Sequence, residues 1–308
     1  MESSAQHIRK RCLYDGKRLT AEMILQKEIR DIAMRQGVPK TTIDKDWVLG
    51  HVLYGLFSHE VLGKQLIFKG GTCLRKCYFE DYRFSEDLDF TLMAADVQIS
   101  QSMIEDVFSE VHHRSGILFH IDIFSEMIFE NQRVGFKTIV KYWGADHPKN
   151  QMVPVHSRWH SYIKLEFISH ELMCFDIVAK KLLHHYSDKD LLNIAIPCYN
   201  PEEVICEKLR AMLQRKYTAP RDYFDTWYIS QHSPALDWTG INAQVKQKAR
   251  FKNIDINAVD DFFTEKHIKT LQSHWMQSLG HHLAKNQLPT VQKVINDLRE
   301  LLELKLVL

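Results

Sequence analysis

Residues 66–72 read Leu-Ile-Phe-Lys-Gly-Gly-Thr, and the change of pattern here constrains the chain more than any other stretch. Before it, Thr20–Gln36 places Met23, Ile24, Ile29, Ile32 and Ala33 at helical spacing, closed by Gly37 and Pro39. Lys45–Leu62 keeps the same period through Val48, Val52 and Leu56. Leu66-Ile67-Phe68 breaks it. A short apolar run stopped by paired glycines predicts a strand, a turn and a helix start. Thr72–Tyr78 is enough for about two helical turns. Arg83–Leu92 then alternates, with Leu88, Phe90 and Leu92 on one face and Asp87 and Asp89 on the other.

Farther on, Ile99–Val111 returns to helical spacing, and Ile117–Phe129, Val134–Trp143 and Ser161–Ile168 read as strands of the same sheet. Pro148–His160 reads as a loop. From Glu202 the pattern is helical, most clearly over Pro201–Gln214, Arg221–Ser230, Ile241–Arg250 and Thr290–Lys305. The expected organisation is a mixed α/β region with N-terminal helices over residues 1–195, then an α-helical region over 196–308, in keeping with a length of 308 residues. Hydrophobic residues at 45% and charged residues at 26% are the balance of a soluble globular chain. No apolar stretch approaches the ~20 residues of a membrane span, and Met1–Arg11 is polar and basic without a secretory pattern. The expectation is a soluble, cytoplasmic protein with no membrane partner. Cys73 and Cys77 are four apart and could share a helix face. No second Cys/His pair at zinc-finger spacing follows them, so reduced, buried thiols are the expected state.

Ser85-Glu86-Asp87-Leu88-Asp89-Phe90 carries the chemistry. Asp87 and Asp89 project from one strand face, and two carboxylates that close raise each other's pKa unless a cation lies between them. Hard divalent ions such as Mg²⁺ take carboxylate oxygens and share substrate phosphates as further ligands. Alone, an Asp-x-Asp is more often the exposed polar face of an edge strand, since solvated strand faces are common. Gly70-Gly71-Thr72 adds a second element: glycines let a phosphate approach the backbone, and the helix start offers free N–H groups. No GxxxxGK[ST] pattern exists, so this is not a Walker motif. A phosphate cradle followed by a metal-binding acidic strand is the layout of a nucleotidyl-transfer site.

Lys69-Gly70-Gly71-Thr72-Cys73-Leu74-Arg75 and Arg83-Phe84-Ser85-Glu86-Asp87-Leu88-Asp89-Phe90 resemble the first two motifs of the AbiEii/AbiGii-type nucleotidyltransferase toxins, of the DNA polymerase β-like superfamily. Leu182–Asp188, Pro201–Met212 and Arg221-Asp222-Tyr223-Phe224-Asp225 follow in the family's order, so the resemblance spans about residues 45–230. It implies an α+β fold, a polymerase β-like mixed sheet with helices followed by an α-helical C-terminal domain. It also implies an enzyme that transfers a nucleotide from an NTP and releases pyrophosphate. Asp87 and Asp89 would hold Mg²⁺ or Mn²⁺. Lys69, Gly70, Gly71, Thr72, Arg75 and Ser85 would lie near the nucleotide, with Lys208 on its phosphates. An acid of the last motif completes the site, Asp222 as a catalytic group with Asp225 beside the nucleotide. Glu166 is the candidate third carboxylate; a surface strand glutamate is the equal alternative.

Net charge is only +1, from 40 basic and 39 acidic side chains, so the total does not announce a polyanion. The local distribution is less even. Lys208, Arg210, Arg215, Lys216 and Arg221 face only Glu207 between Val204 and Arg221; Lys246, Lys248, Arg250 and Lys252 face no acid; Arg9, Lys10, Arg11, Lys17 and Arg18 face only Asp15. Each cluster alone is a solvated face. Together they suggest a groove for a phosphate backbone, with Lys246, Lys248 and Arg250 as RNA contacts. The resemblance points the same way, toward tRNA acceptor ends and a toxin opposed by a neighbouring antitoxin. The alternatives are transfer to a protein hydroxyl or small molecule, and a non-catalytic nucleotide- or RNA-binding module.

Overall fold

A computed structural model of the chain describes residues 24–148, 150–284 and 287–307. The basic cluster Arg9–Arg18 lies outside them. Helix α1 (Gln26–Gln36) stops at Gly37, whose φ of 66° lets its N–H reach the Ala33 carbonyl. Helix α2 (Lys40–Ser58) begins five residues before the expected start, because Lys40-Thr41-Thr42 gives its first turn no apolar signal. It buries Ile43, Trp47, Val48, Leu49, Val52, Leu53 and Leu56, so it is enclosed on most sides. Strand β1 (Leu66–Lys69) is wholly buried and runs directly into α3 (Gly70–Cys73), followed by a π-helical turn over Leu74–Tyr78. Strand β2 is Asp87–Leu92 and helix α4 is Gln101–Ser115. Strands β3 (Leu118–Phe129) and β4 (Gln132–Trp143) form a hairpin whose two loop residues, Glu130 and Asn131, both have positive φ. Strand β5 is Tyr162–Ile168.

Two short strands, β6 (Val178–Lys181) and β7 (Ala195–Cys198), complete a seven-stranded sheet in the order β3-β4-β5-β2-β1-β7-β6. At four residues each they carry too little alternation to be read from sequence. Strand β7 spans the expected division after residue 195 and pairs in parallel with β1 at Phe68 and Cys198. Helices α5 (Pro201–Gln214), α6 (Pro220–His232), α7 (Trp238–Arg250), α8 (Glu265–Leu279) and α9 (Val291–Lys305) follow. Asn200 caps α5 by accepting the Glu203 N–H at 2.8 Å, with Pro201 at the first helical position. Helix α8 has no counterpart among the helices expected from sequence, because Leu271, Trp275 and Leu279 are separated by polar and charged residues. Among the described residues no helix is long and apolar enough to cross a membrane.

The apolar interior forms two clusters that share β1. Phe68 points into the core under α2 and α4, beside Phe90 and Phe167, whereas Ile67 points into the core built by α5–α9. Alternation along one strand thus joins both halves of the molecule.

Charged residues inside the first core are met by partners. Asp46 accepts from Arg75 Nε at 2.8 Å, Lys76 Nζ at 2.6 Å and Tyr186 Oη at 2.9 Å. The Lys76 and Arg75 charges hold its carboxyl well below the usual range although burial alone would raise it. Asp188 accepts from Trp47 Nε1 at 2.9 Å and contacts His51 Nε2 and His184 Nε2, each at 2.9 Å. The Leu182–Asp188 segment therefore clasps α2 rather than the cleft. Asp46→Ala leaves two buried cations unpaired, and the expected cost is about 3–5 kcal/mol. Urea unfolding with the slope preserved and the midpoint lowered checks this; a midpoint equal to wild type refutes the structural role given to Asp46.

Candidate active site

The strand register assembles the site. Lys69 on β1 lies opposite Asp89 on β2, and Asp89 lies opposite Glu166 on β5; Asp87 lies opposite Lys164. One cation and two carboxylates thus stand abreast on three adjacent strands. Gly70 follows at once with φ +81°, and a Cβ there would collide with the Asp89 carboxylate. The glycine turn is tight because an acid is packed against it. Thr72 Oγ1 donates to the Asp87 carbonyl at 2.5 Å, which fixes the first helical turn to the acidic strand.

These groups open on a cleft of about 1180 Å³ between the sheet and the helices. Lys69, Gly70, Gly71, Ser85, Asp87, Asp89 and Glu166 line one wall; Lys208 and Asp222 line the other. Lys208 Nζ is 2.8 Å from both Asp222 Oδ1 and Asp225 Oδ2, and Asp222 Oδ2 accepts from Arg215 Nε at 2.8 Å. Burial favours the neutral amine, but the two aspartates outweigh it and hold Lys208 protonated beyond the ordinary range.

Asp89 behaves in the opposite way. Burial pushes its carboxyl up to about 6, Lys69 opposes the shift, and Glu166, Asp87 and Glu207 add to it. Burial likewise raises Asp87, against the pull of Lys164. Carboxylates crowded on one wall and largely withdrawn from water fit a hard cation as the missing countercharge, so the donors suit Mg²⁺ or Mn²⁺. Glu166 is turned into an ion pair with Lys164. The three carboxylates do not form a ready-made cage, since Asp87, Asp89 and Glu166 are not among the sets of three ligand atoms within 4.8 Å of one another found in the described residues.

Several expected site residues lie elsewhere. Arg75 is buried against Asp46 and the Phe84 ring, 3.6 Å from its centroid, and does not line the cleft. Its role is in the core because Asp46 is the buried anion within its reach. Asp225 has no exposed side-chain surface and takes a two-pronged contact from Arg83, Nε to Oδ1 at 2.7 Å and NH2 to Oδ2 at 2.8 Å. It stands behind Lys208 and is screened from a nucleotide. Lys248 is a further correction: it is 1% exposed, paired with Glu203, and donates to the Leu172 carbonyl at 2.8 Å. A lysine so enclosed cannot meet RNA; it stands on the inner face of α7 together with Val245 and Ala249. Lys246 and Arg250 do not line the cleft, whereas Lys252 does.

The cleft also contains residues to which the motifs assign no role. Glu207 and Glu171 hold Lys69 Nζ at 3.1 and 3.3 Å. Lys69 therefore bridges β1 to α5 instead of reaching freely into the cleft. Lys164, Arg221 and Tyr217 also line it. The alternation Lys164-Leu165-Glu166 is the available signal for Lys164; Glu171 and Tyr217 lie in irregular segments that carry none.

This fold and cleft accord with a nucleotidyltransferase. The family model for the nucleotidyl transferase AbiEii toxin of type IV toxin–antitoxin systems matches residues 51–297, and the chain belongs to that family. Among solved structures, JHP933 from Helicobacter pylori is similar over 87% of this chain and 92% of its own, with 16% identity and a TM-score of 0.50. A second H. pylori protein, assigned as a nucleotidyltransferase, gives 87% and 95% coverage, 16% identity and a TM-score of 0.51. At that identity the likeness concerns the fold. No curated protein matches the sequence.

The crowding of Asp89 has a measurable sign. A carboxyl whose folded pKa lies above its unfolded value binds its proton more tightly when folded, so its contribution to stability is present at low pH and lost as pH rises through about 6. Without divalent metal, Asp89→Asn should melt higher than wild type at pH ~7, by about 2 °C or more, with the difference shrinking toward pH ~5. Calorimetry across that range checks it, and a variant less stable at neutral pH would mean that Asp89 is paired, not crowded.

Proposed function

We propose that this nucleotidyltransferase moves a nucleoside monophosphate from an NTP to RNA, at a tRNA acceptor end, in a divalent-metal-dependent reaction. The observation that carries the reading is the pairing of two walls across one cleft: crowded, unneutralised carboxylates at Asp87 and Asp89 on one side, and the protonated Lys208 on the other. Asp87 and Asp89 would hold Mg²⁺ or Mn²⁺, which neutralises charge on the α-phosphate and aligns the incoming hydroxyl. The chain's own groups do the rest. The Gly70–Gly71 backbone N–H groups at the start of α3 would meet phosphate oxygens, and glycine is required there because a Cβ would strike Asp89 or Arg83. Lys208, braced by Asp222, meets phosphate negative charge as a fixed ammonium. Ser85 is the hydroxyl on the cleft wall between the glycine turn and the acidic strand. An antitoxin partner follows from the family, and the cytoplasm is where an NTP and tRNA would meet the enzyme.

RNA is favoured over a protein acceptor by the cations at the cleft mouth. Lys164, Arg215, Arg221 and Lys252 line it, and Lys246 and Arg250, off the buried face of α7, would be further contacts. Neutralising any one cation that meets an RNA phosphate should reduce the salt slope of RNA affinity by about 0.7.

The test is transfer of label from each α-labelled NTP into total RNA and, in parallel, into total protein. Label is expected in RNA of tRNA size. Label only in protein would overturn the RNA reading while keeping the enzyme class. Asp87→Ala and Asp89→Ala should each lower transfer by orders of magnitude with the circular dichroism spectrum unchanged. Lys208→Arg should recover little of the activity that Lys208→Ala removes, because a planar fork does not fit between Asp222 and Asp225. Equal activity in Lys208→Arg and wild type would remove Lys208 from the phosphate-binding role.

A further inference from the structure

Directly behind the glycine turn, three thiols meet. Cys73 closes α3, Cys77 lies in the π-helical turn that follows, and Cys198 ends β7, beside β1. Their sulfur atoms all lie within 4.8 Å of one another, and all three residues are buried and free of disulfides. We propose that Cys73, Cys77 and Cys198 form a binding site for a thiophilic divalent d¹⁰ metal ion of the zinc class.

Three observations favour an ion over plain apolar filling. The first is convergence from separate places. A buried cysteine is an ordinary small hydrophobe, yet here a third sulfur arrives from a strand more than 120 positions later in the chain to complete a triangle begun by the other two. The 4.8 Å bound on their separation leaves little movement to bind an ion, since zinc–sulfur bonds of ~2.3 Å set the sulfurs of one ion somewhat under 4 Å apart. The second is the backbone. The π-helical turn over Leu74–Tyr78 departs from regular helix at the segment that carries Cys77, and such turns gather at functional positions. The third is charge. Three thiolates and one divalent ion leave a net charge of −1, and the Lys180 ammonium, set 4.9 Å from the centre of the Tyr78 ring, is among the cations acting on Cys77 and Cys198.

Binding breaks three S–H bonds, forms three sulfur–metal bonds and releases up to three protons to solvent; no electron is transferred. A fourth donor would come from solvent on the side of Cys77, which is 5% exposed where Cys73 and Cys198 have no exposed surface. An ion there would tie β7 to the helix that begins at the glycine turn, through Cys73 beside Thr72. The site is separate from the carboxylate wall, which is built of hard oxygen donors.

The test uses the reduced full-length protein. Native mass spectrometry after equilibration with zinc and removal of excess should show one retained ion, and retention of none overturns the proposal. Cadmium serves as the optical probe. Titration should raise a thiolate-to-metal charge-transfer band in the ultraviolet that saturates at one equivalent and is reversed by a chelator. Cys198→Ser should weaken cadmium binding by more than about 100-fold, beyond the 10–100-fold typical of losing a group that only supports a ligand. Cys174→Ser, outside the triangle, should leave the titration unchanged. If Cys198→Ser does not fold, Cys77→Ser, at the least enclosed of the three, carries the same expectation. A band of undiminished affinity in a folded Cys198→Ser or Cys77→Ser protein refutes the site.

Discussion

Burying a carboxylate with no exposed atom is costly unless cations meet it, and at Asp225 two of them do. Arg83 grips both oxygens from the loop before β2, Lys208 approaches from α5, and the Tyr82 hydroxyl donates to the same carboxylate. One buried anion therefore holds together the acidic strand's approach, the helix that carries the catalytic candidate lysine, and α6 itself. The cleft depends on this knot. Without it, Lys208 has no fixed distance from Asp87 and Asp89, and the two walls have no common reference. The same logic recurs at Asp46 and Asp188, where one carboxylate collects several donors from different elements. In each case the anion is the hub and the chain segments are the spokes.

The cleft walls separate two kinds of charge that would cancel if they met. On the sheet side the acids are under-compensated, which keeps Asp89 near the threshold of protonation. On the helical side Lys208 is over-compensated by Asp222 and Asp225. Lys69 stands between these regimes. It lies abreast of Asp89 yet gives its ion pairs to Glu171 and Glu207, so the sheet acids stay short of positive charge. A site built in this way is poised to take up cationic charge on one wall and anionic phosphate against the other.

Much of this is legible in the sequence for physical reasons. The glycine turn and the alternating Asp87 and Asp89 are local signals, because the period of a strand fixes which side chains share a face. Lys69, Glu166, Lys208 and Asp222 are also reachable, through ordered motifs. Arg75 and Asp225 are misplaced by the same motifs, because a motif records that a residue is charged and fixed in order, and a structural ion pair satisfies that as well as a ligand does. Lys248 misleads differently: in a run of four basic residues at every second position, helical geometry sends one inward, and only its partner Glu203, 45 residues earlier, shows which. Strands β6 and β7 escape notice because four residues give no period to detect.

The parallel pairing of β1 with β7 has a consequence for how this protein comes into being. Strand β1 sits in the middle of the sheet, yet its neighbour on one side emerges from the ribosome more than a hundred residues later. Until Cys198 and then Lys208 and Asp225 have been made, the carboxylate strand has neither its flank nor its opposing wall. Such long-range closure slows folding and lets translation set the order of events. About two-thirds of the chain must therefore be made before the cleft can close, so the catalytic wall is among the last parts of the molecule to take shape.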